Sequence, residues 1–173
     1  MAKLKENSRS KPDKQPDCIE FPTDRRIVVV EGGVSATFIR PSKGGVRKIR
    51  YDGCHCRLRA GRRADFIIGL IGAIDVIVEL KGSDTNLKGS DDSSASAQVE
   101  STFVDWKGDD LAARRIAALI VYGRIEGAKK GAGRRPRARS TIQSLEAYFL
   151  RRFRILLLVR ESGEAQLKFT DFA

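Results

Sequence analysis

The chain has one histidine, one tryptophan and three cysteines among 173 residues, and each shortage removes a class of chemistry. With His55 as the only imidazole, no Ser-His-Asp or Cys-His nucleophile set is credible. Cys54-His55-Cys56 is a single cluster with Cys18 alone far upstream, whereas structural zinc takes four ligands that normally arrive as two separated pairs. An odd number of cysteines is no disulfide framework, so free thiols and a reducing compartment are expected. Aromatics are only 7% of the chain, too few for a base-stacking platform. No apolar run approaches the ~18 residues of a membrane span, and MAKLKENSRSKPDKQPD lacks the apolar core of a signal peptide. A soluble, cytoplasmic protein is expected.

What the chain does have is positive charge. The formal net charge is +11, with a sequence pI near 10.0. Lysines and arginines that neutralise phosphates release counterions, so this balance favours a polyanionic partner, nucleic acid above all. The length suits one domain, expected over residues 18–173 behind a charged, apolar-poor tail at 1–17 that reads as disordered.

The most informative stretch is Ala64–Lys81, ADFIIGLIGAIDVIVELK. It reads as two apolar strands folded on each other, Asp65 opening the first and Glu79-Leu80-Lys81 closing the second. Side chains alternate along a strand, so Glu79 and Lys81 share one face. Charge at the end of an apolar strand is costly without a partner or ligand. For Asp65 to lie opposite Glu79 on that face, Leu70 must pair with Ile74 and leave Ile71-Gly72-Ala73 as a three-residue loop. A one-residue slip would send Asp65 to the other face.

Asp, a gap, then Glu-x-Lys late in an apolar strand resembles the signature of the PD-(D/E)XK nuclease superfamily, although Ala64 stands where that family often has proline. The resemblance covers about Tyr51 to Thr102. It implies an α/β fold: a restriction-endonuclease-like mixed β-sheet flanked by helices. It also implies a magnesium-dependent endonuclease that hydrolyses phosphodiester bonds of DNA. Asp65 and Glu79, with the backbone of Leu80, would hold Mg2+ or Mn2+; Lys81 would assist the attacking water. A helix packed behind the Glu-x-Lys strand often offers a glutamine, and Gln98 matches it. The bland alternative is a solvated ion pair on an exposed strand face.

Around this core, Arg26–Glu31, Val34–Arg40 and Val46–Tyr51 read as an N-terminal antiparallel meander with basic residues outward. Asp52 precedes the Asp65 strand and is a candidate auxiliary acid. A helix is expected from about Ser93, with Val99, Phe103 and Trp106 as its apolar stripe. Ala113–Tyr122 reads as a strand covered on both faces, making a strand–helix–strand unit with the Glu79 strand. Ser140–Phe153 reads as an amphipathic helix, Arg154–Arg160 as a buried strand and Ala165–Phe169 as an edge strand.

Two basic segments complete the picture. Arg57, Arg59, Arg62 and Arg63 lie immediately before Asp65. The Gly- and Pro-broken run Gly123–Arg139 carries Lys129, Lys130, Arg134, Arg135 and Arg137. Both are candidates to track a nucleic-acid backbone, and a solvated loop is the alternative. One site per chain is compatible with a homodimer for cutting both strands, or with a subunit of a nuclease complex. The competing functions are a non-catalytic nucleic-acid-binding subunit with a nuclease-like fold, and a basic protein that binds acidic protein surfaces.

Overall fold

The computed structural model describes residues 18–55, 61–82, 87–89, 93–123, 136–163 and 166–172, with backbone alone for 136–139. In chain order the strands are β1 (Ile19–Glu20), β2 (Arg26–Glu31), β3 (Val34–Ile39), β4 (Val46–Arg50), β5 (Phe66–Leu70) and β6 (Ile74–Lys81). Helix α1 (Ala95–Trp106) leads to β7 (Arg115–Tyr122), and α2 (Pro136–Phe153) leads to β8 (Leu157–Glu161) and β9 (Leu167–Lys168).

The result is α/β, with a mixed six-stranded sheet ordered β1-β4-β5-β6-β7-β8 and a three-stranded sheet ordered β2-β3-β9. β4, β5 and β6 run antiparallel in succession, while β6, β7 and β8 are parallel. The parallel pairs follow from their connections, because α1 and α2 return the chain to the same end of the sheet. One face of the large sheet packs on the helices, joining Ile67, Ile77 and Ile120 to Val99, Trp106, Leu145 and Phe149. The opposite face packs on the small sheet, joining Ile68, Val76, Val78 and Leu119 to Ile27, Val29, Phe38 and Phe172. Three layers therefore cover β6 and β7 on both sides, which explains their nearly continuous apolar runs.

Three expectations are corrected. The meander ends after two strands: β3 takes β9 as its second neighbour, and β4 crosses to the large sheet, pairing with β5. β4 does so because it has an apolar residue for each core, Ile49 toward the helices and Val46 toward the small sheet. Nor are its basic residues all outward. Arg47 is buried on Asp75, with its Nη2 2.8 Å from Oδ2. Asp75 also accepts from Trp106 Nε1 at 2.9 Å and from the Ala113 N–H at 2.7 Å, and Arg47 donates to the Leu111 carbonyl. Finally, the thiols are not all free. The β1–β4 pairing sets Cys18 beside Cys54, and the two form a disulfide with Cα atoms 5.7 Å apart. The argument for a reducing compartment from free cysteines falls with it. Among the described residues no helix is long and apolar enough to cross a membrane.

Candidate active site

The site is built by the β5–β6 hairpin. Leu70 pairs with Ile74 and Phe66 with Val78, so Ile71-Gly72-Ala73 form the loop, as the shared-face argument requires. Gly72 takes a φ of 77° there, a left-handed conformation open to glycine without strain. One step beyond the Phe66–Val78 pair, Asp65 comes opposite Glu79. Its Oδ2 accepts a hydrogen bond from the Leu80 N–H at 2.8 Å, which ties the first acid to the middle of Glu79-Leu80-Lys81.

On the helix-facing side of β6, Lys81 Nζ lies 2.7 Å from Glu79 Oε1 and donates to Gln98 Oε1 at 2.9 Å. Asp65, Glu79, Lys81 and Gln98 are thus brought together. Glu79 is 1% exposed and its Oε2 has no hydrogen-bond partner. Burial, then repulsion from Asp65, pushes the Glu79 carboxyl up to about 8, against the pull of Lys81. Burial likewise raises Asp65 to about 6, despite the Leu80 hydrogen bond; Glu31 and Asp52 add repulsion.

Helix α1 holds this arrangement along one face. Its N-cap is Ser94, whose side chain accepts from the Ala97 N–H. Gln98 meets Lys81, Thr102 Oγ1 accepts from the Ala64 N–H at 2.8 Å, and Asp105 accepts from Arg63 Nε at 2.6 Å. These three positions fall one turn apart on the helix. Both the strand that opens with Asp65 and the strand that closes with Lys81 are therefore fixed to one rigid element. Thr102 and Asp105 were not singled out in the sequence, although their spacing from Gln98 is the signal that exposes them.

Outside Asp65 lies an open cleft of about 370 Å³, lined by Glu31, Arg50, Asp52 and Asp65 with Cys54 at its edge. Asp52 thus approaches the site as an outer acid. Glu31, at the end of β2, is a residue that local sequence does not place here.

The donor set suits a hard divalent cation. Glu79, whose protonation is favoured by burial and by repulsion from Asp65, has a buried oxygen lacking a partner, and Asp65 is raised by its own burial; positive charge beside the two would relieve both. Leu80, expected to lend its carbonyl, contributes its N–H to Asp65. Among the described residues no three His, Cys, Asp or Glu side chains form a ready-made metal cluster. Any cation would complete its shell with water and phosphate oxygens, which is how magnesium is usually held.

The basic candidates divide. Arg62 is exposed, whereas the Arg63 guanidinium is held by Asp105 and by the Arg62 carbonyl. Arg57, Arg59, Lys129, Lys130, Arg134 and Arg135 lie outside the described residues, as does the Arg137 side chain. The segment carrying the second group begins at Gly123, one residue past β7, whose Tyr122 pairs with Lys81. His55 lies against Asp109 at 3.3 Å. Comparison with protein-family models, curated proteins and solved structures finds no significant match.

Proposed function

We propose that the chain is a metal-dependent nuclease acting on phosphodiester bonds of DNA, with a core of the restriction-endonuclease type. The observation that carries this reading is the pairing of the half-buried Asp65 with the buried Glu79 beside Lys81 and Gln98, at one end of a mixed sheet. Support for the fold comes from the order hairpin, α1, parallel β7, which matches what the Asp…Glu-x-Lys resemblance implies.

Asp65 and Glu79 would hold a magnesium or manganese ion, which would supply charge neutralisation at the phosphate and lower the pKa of water. The chain's own groups do the rest. Lys81, held by Glu79 and Gln98, aims its ammonium where negative charge develops on the scissile phosphate. Gln98 keeps that ammonium from swinging away, and α1 keeps Gln98 in place. The exposed Arg62 and the basic segments before Asp65 and after β7 would add salt-sensitive affinity that is indifferent to sequence.

The test is cleavage of supercoiled and branched DNA with magnesium or manganese. Wild type should nick, and Asp65→Asn or Glu79→Gln should abolish nicking while DNA affinity persists. A wild type that binds but never cuts would leave a non-catalytic nucleic-acid-binding subunit.

A further inference from the structure

At the other end of the large sheet, a second cleft of about 520 Å³ opens among α1, the end of α2 and the first residues of β6 and β7. Ile74 lines it, while Glu79 lies five residues further along the same strand, about 17 Å away at the rise of a β-strand. It is therefore separate from the candidate active site.

Two properties of this cleft coincide. Its rim carries four exposed cations, Lys107, Arg114, Arg115 and Arg154, and among the described residues its lining contains no acidic residue. None of the four makes an ion pair among the described residues; Arg115 reaches only the Phe172 carbonyl, and Lys107 lies over the Phe103 ring. The floor, by contrast, is apolar. Phe103 and Phe153 form it, and Leu150 and Leu156 stand 55% and 36% exposed at its edge.

Arg154 sharpens the point. It follows the last residue of α2 with a φ of 59°, a helix-ending conformation that glycine adopts without strain. A guanidinium occupies a position where the backbone alone would be better served by glycine.

We propose that this cleft docks an acidic peptide segment of a partner protein, with a large apolar side chain seated between Phe103 and Leu150 and its carboxylates on the four cations. Charge complementarity selects the acid, and the apolar floor selects a peptide over a nucleic-acid backbone. Phosphates and sugars would satisfy the cations but leave the phenylalanines and leucines without a partner.

The experiment uses the full chain and fluorescence anisotropy. One labelled peptide is rich in Asp and Glu with Leu and Phe interspersed; a second has Ser at every apolar position; a short labelled DNA duplex is the third probe. The first peptide should bind, and the Ser version should bind roughly tenfold more weakly or worse, as loss of a buried apolar anchor implies. Arg154→Gly should raise the melting temperature or leave it unchanged, yet weaken the first peptide by roughly tenfold, the loss of one charge-assisted contact. Equal binding of both peptides, or an Arg154→Gly variant that binds as wild type does, overturns the proposal. So does a duplex that displaces the first peptide and loses affinity on Arg154→Gly, which would assign the cleft to DNA.

Discussion

Asp65 accepts its hydrogen bond from the backbone of Leu80, the residue between Glu79 and Lys81, so the two arms of the hairpin are locked with both acids on one side. The cost of that lock is electrostatic, and it shows as a dependence of stability on pH. The folded Glu79 carboxyl keeps its proton up to about 8, against an ordinary value of 4.5. Asp65 keeps its proton up to about 6, against 3.8. Between these limits the folded state binds more protons than the unfolded state. Stability of the metal-free protein should therefore fall as pH rises from about 4 through about 8. The loss should be on the order of a few kcal/mol, at roughly 1.4 kcal/mol per tenfold change in proton affinity. Urea midpoints in chelator across this range check it. Glu79→Gln should flatten the decline, and parallel curves for variant and wild type would contradict a buried, protonated Glu79.

Arg47 and Asp75 form the one ion pair within the described core in which both partners are buried. Removing one partner leaves a buried charge without compensation, so Asp75→Ala should cost about 3–5 kcal/mol. Gly69 lies against the same pair: a Cβ there would come within 2.3 Å of Asp75 Oδ1. Gly69→Ala should therefore also destabilise, measured by chemical denaturation, whereas an alanine at the exposed Gly82 meets no atom within 4 Å and should be tolerated.

The Cys18–Cys54 disulfide closes a loop of sequence separation 36. In the chain-entropy view such a closure contributes roughly 4 kcal/mol, with 2–4 kcal/mol typical. A Cys18→Ser, Cys54→Ser double variant should melt lower than oxidised wild type, and reductant should lower wild type but not the variant. Insensitivity of wild type to reductant would show that the bond is absent in solution.

Arg62 and Arg63 are neighbours with different expected roles. Arg62 is exposed, and Arg62→Ala should weaken DNA binding and reduce the salt slope by about 1. Arg63 is committed to Asp105 at 2.6 Å. Arg63→Ala should lower thermal stability and leave the salt slope unchanged.

The hairpin was legible because its information is local: alternation, a glycine in the loop, and acids that lie opposite each other only when Leu70 pairs with Ile74. Gln98 was legible only through the family resemblance, since a polar residue on a helix does not say what it faces. Thr102 and Asp105 carried the same helical spacing, but their partners, Ala64 and Arg63, are fixed by tertiary packing. The large-sheet position of β4 was not legible, because Val46–Arg50 alternates equally well in either sheet until β5 is known to lie beside it. The same holds for Arg47. In a strand reading VRKIR it looks solvated, and its partner Asp75 is 28 residues away. The disulfide was hidden for a related reason. Parity of the cysteine count says nothing of a two-residue strand, β1, that carries Cys18 to the end of β4.

The central claim is that Asp65 and Glu79 form one cation site, and calorimetry with manganese or magnesium at about pH 7 tests it directly. A carboxyl that holds its proton to about 8 must surrender it on binding. Repeated in buffers of different ionisation enthalpy, wild type should bind one class of metal with release of about one proton. Asp65→Asn and Glu79→Gln should each abolish that binding. Binding that survives both substitutions, or that releases no proton, would contradict the site.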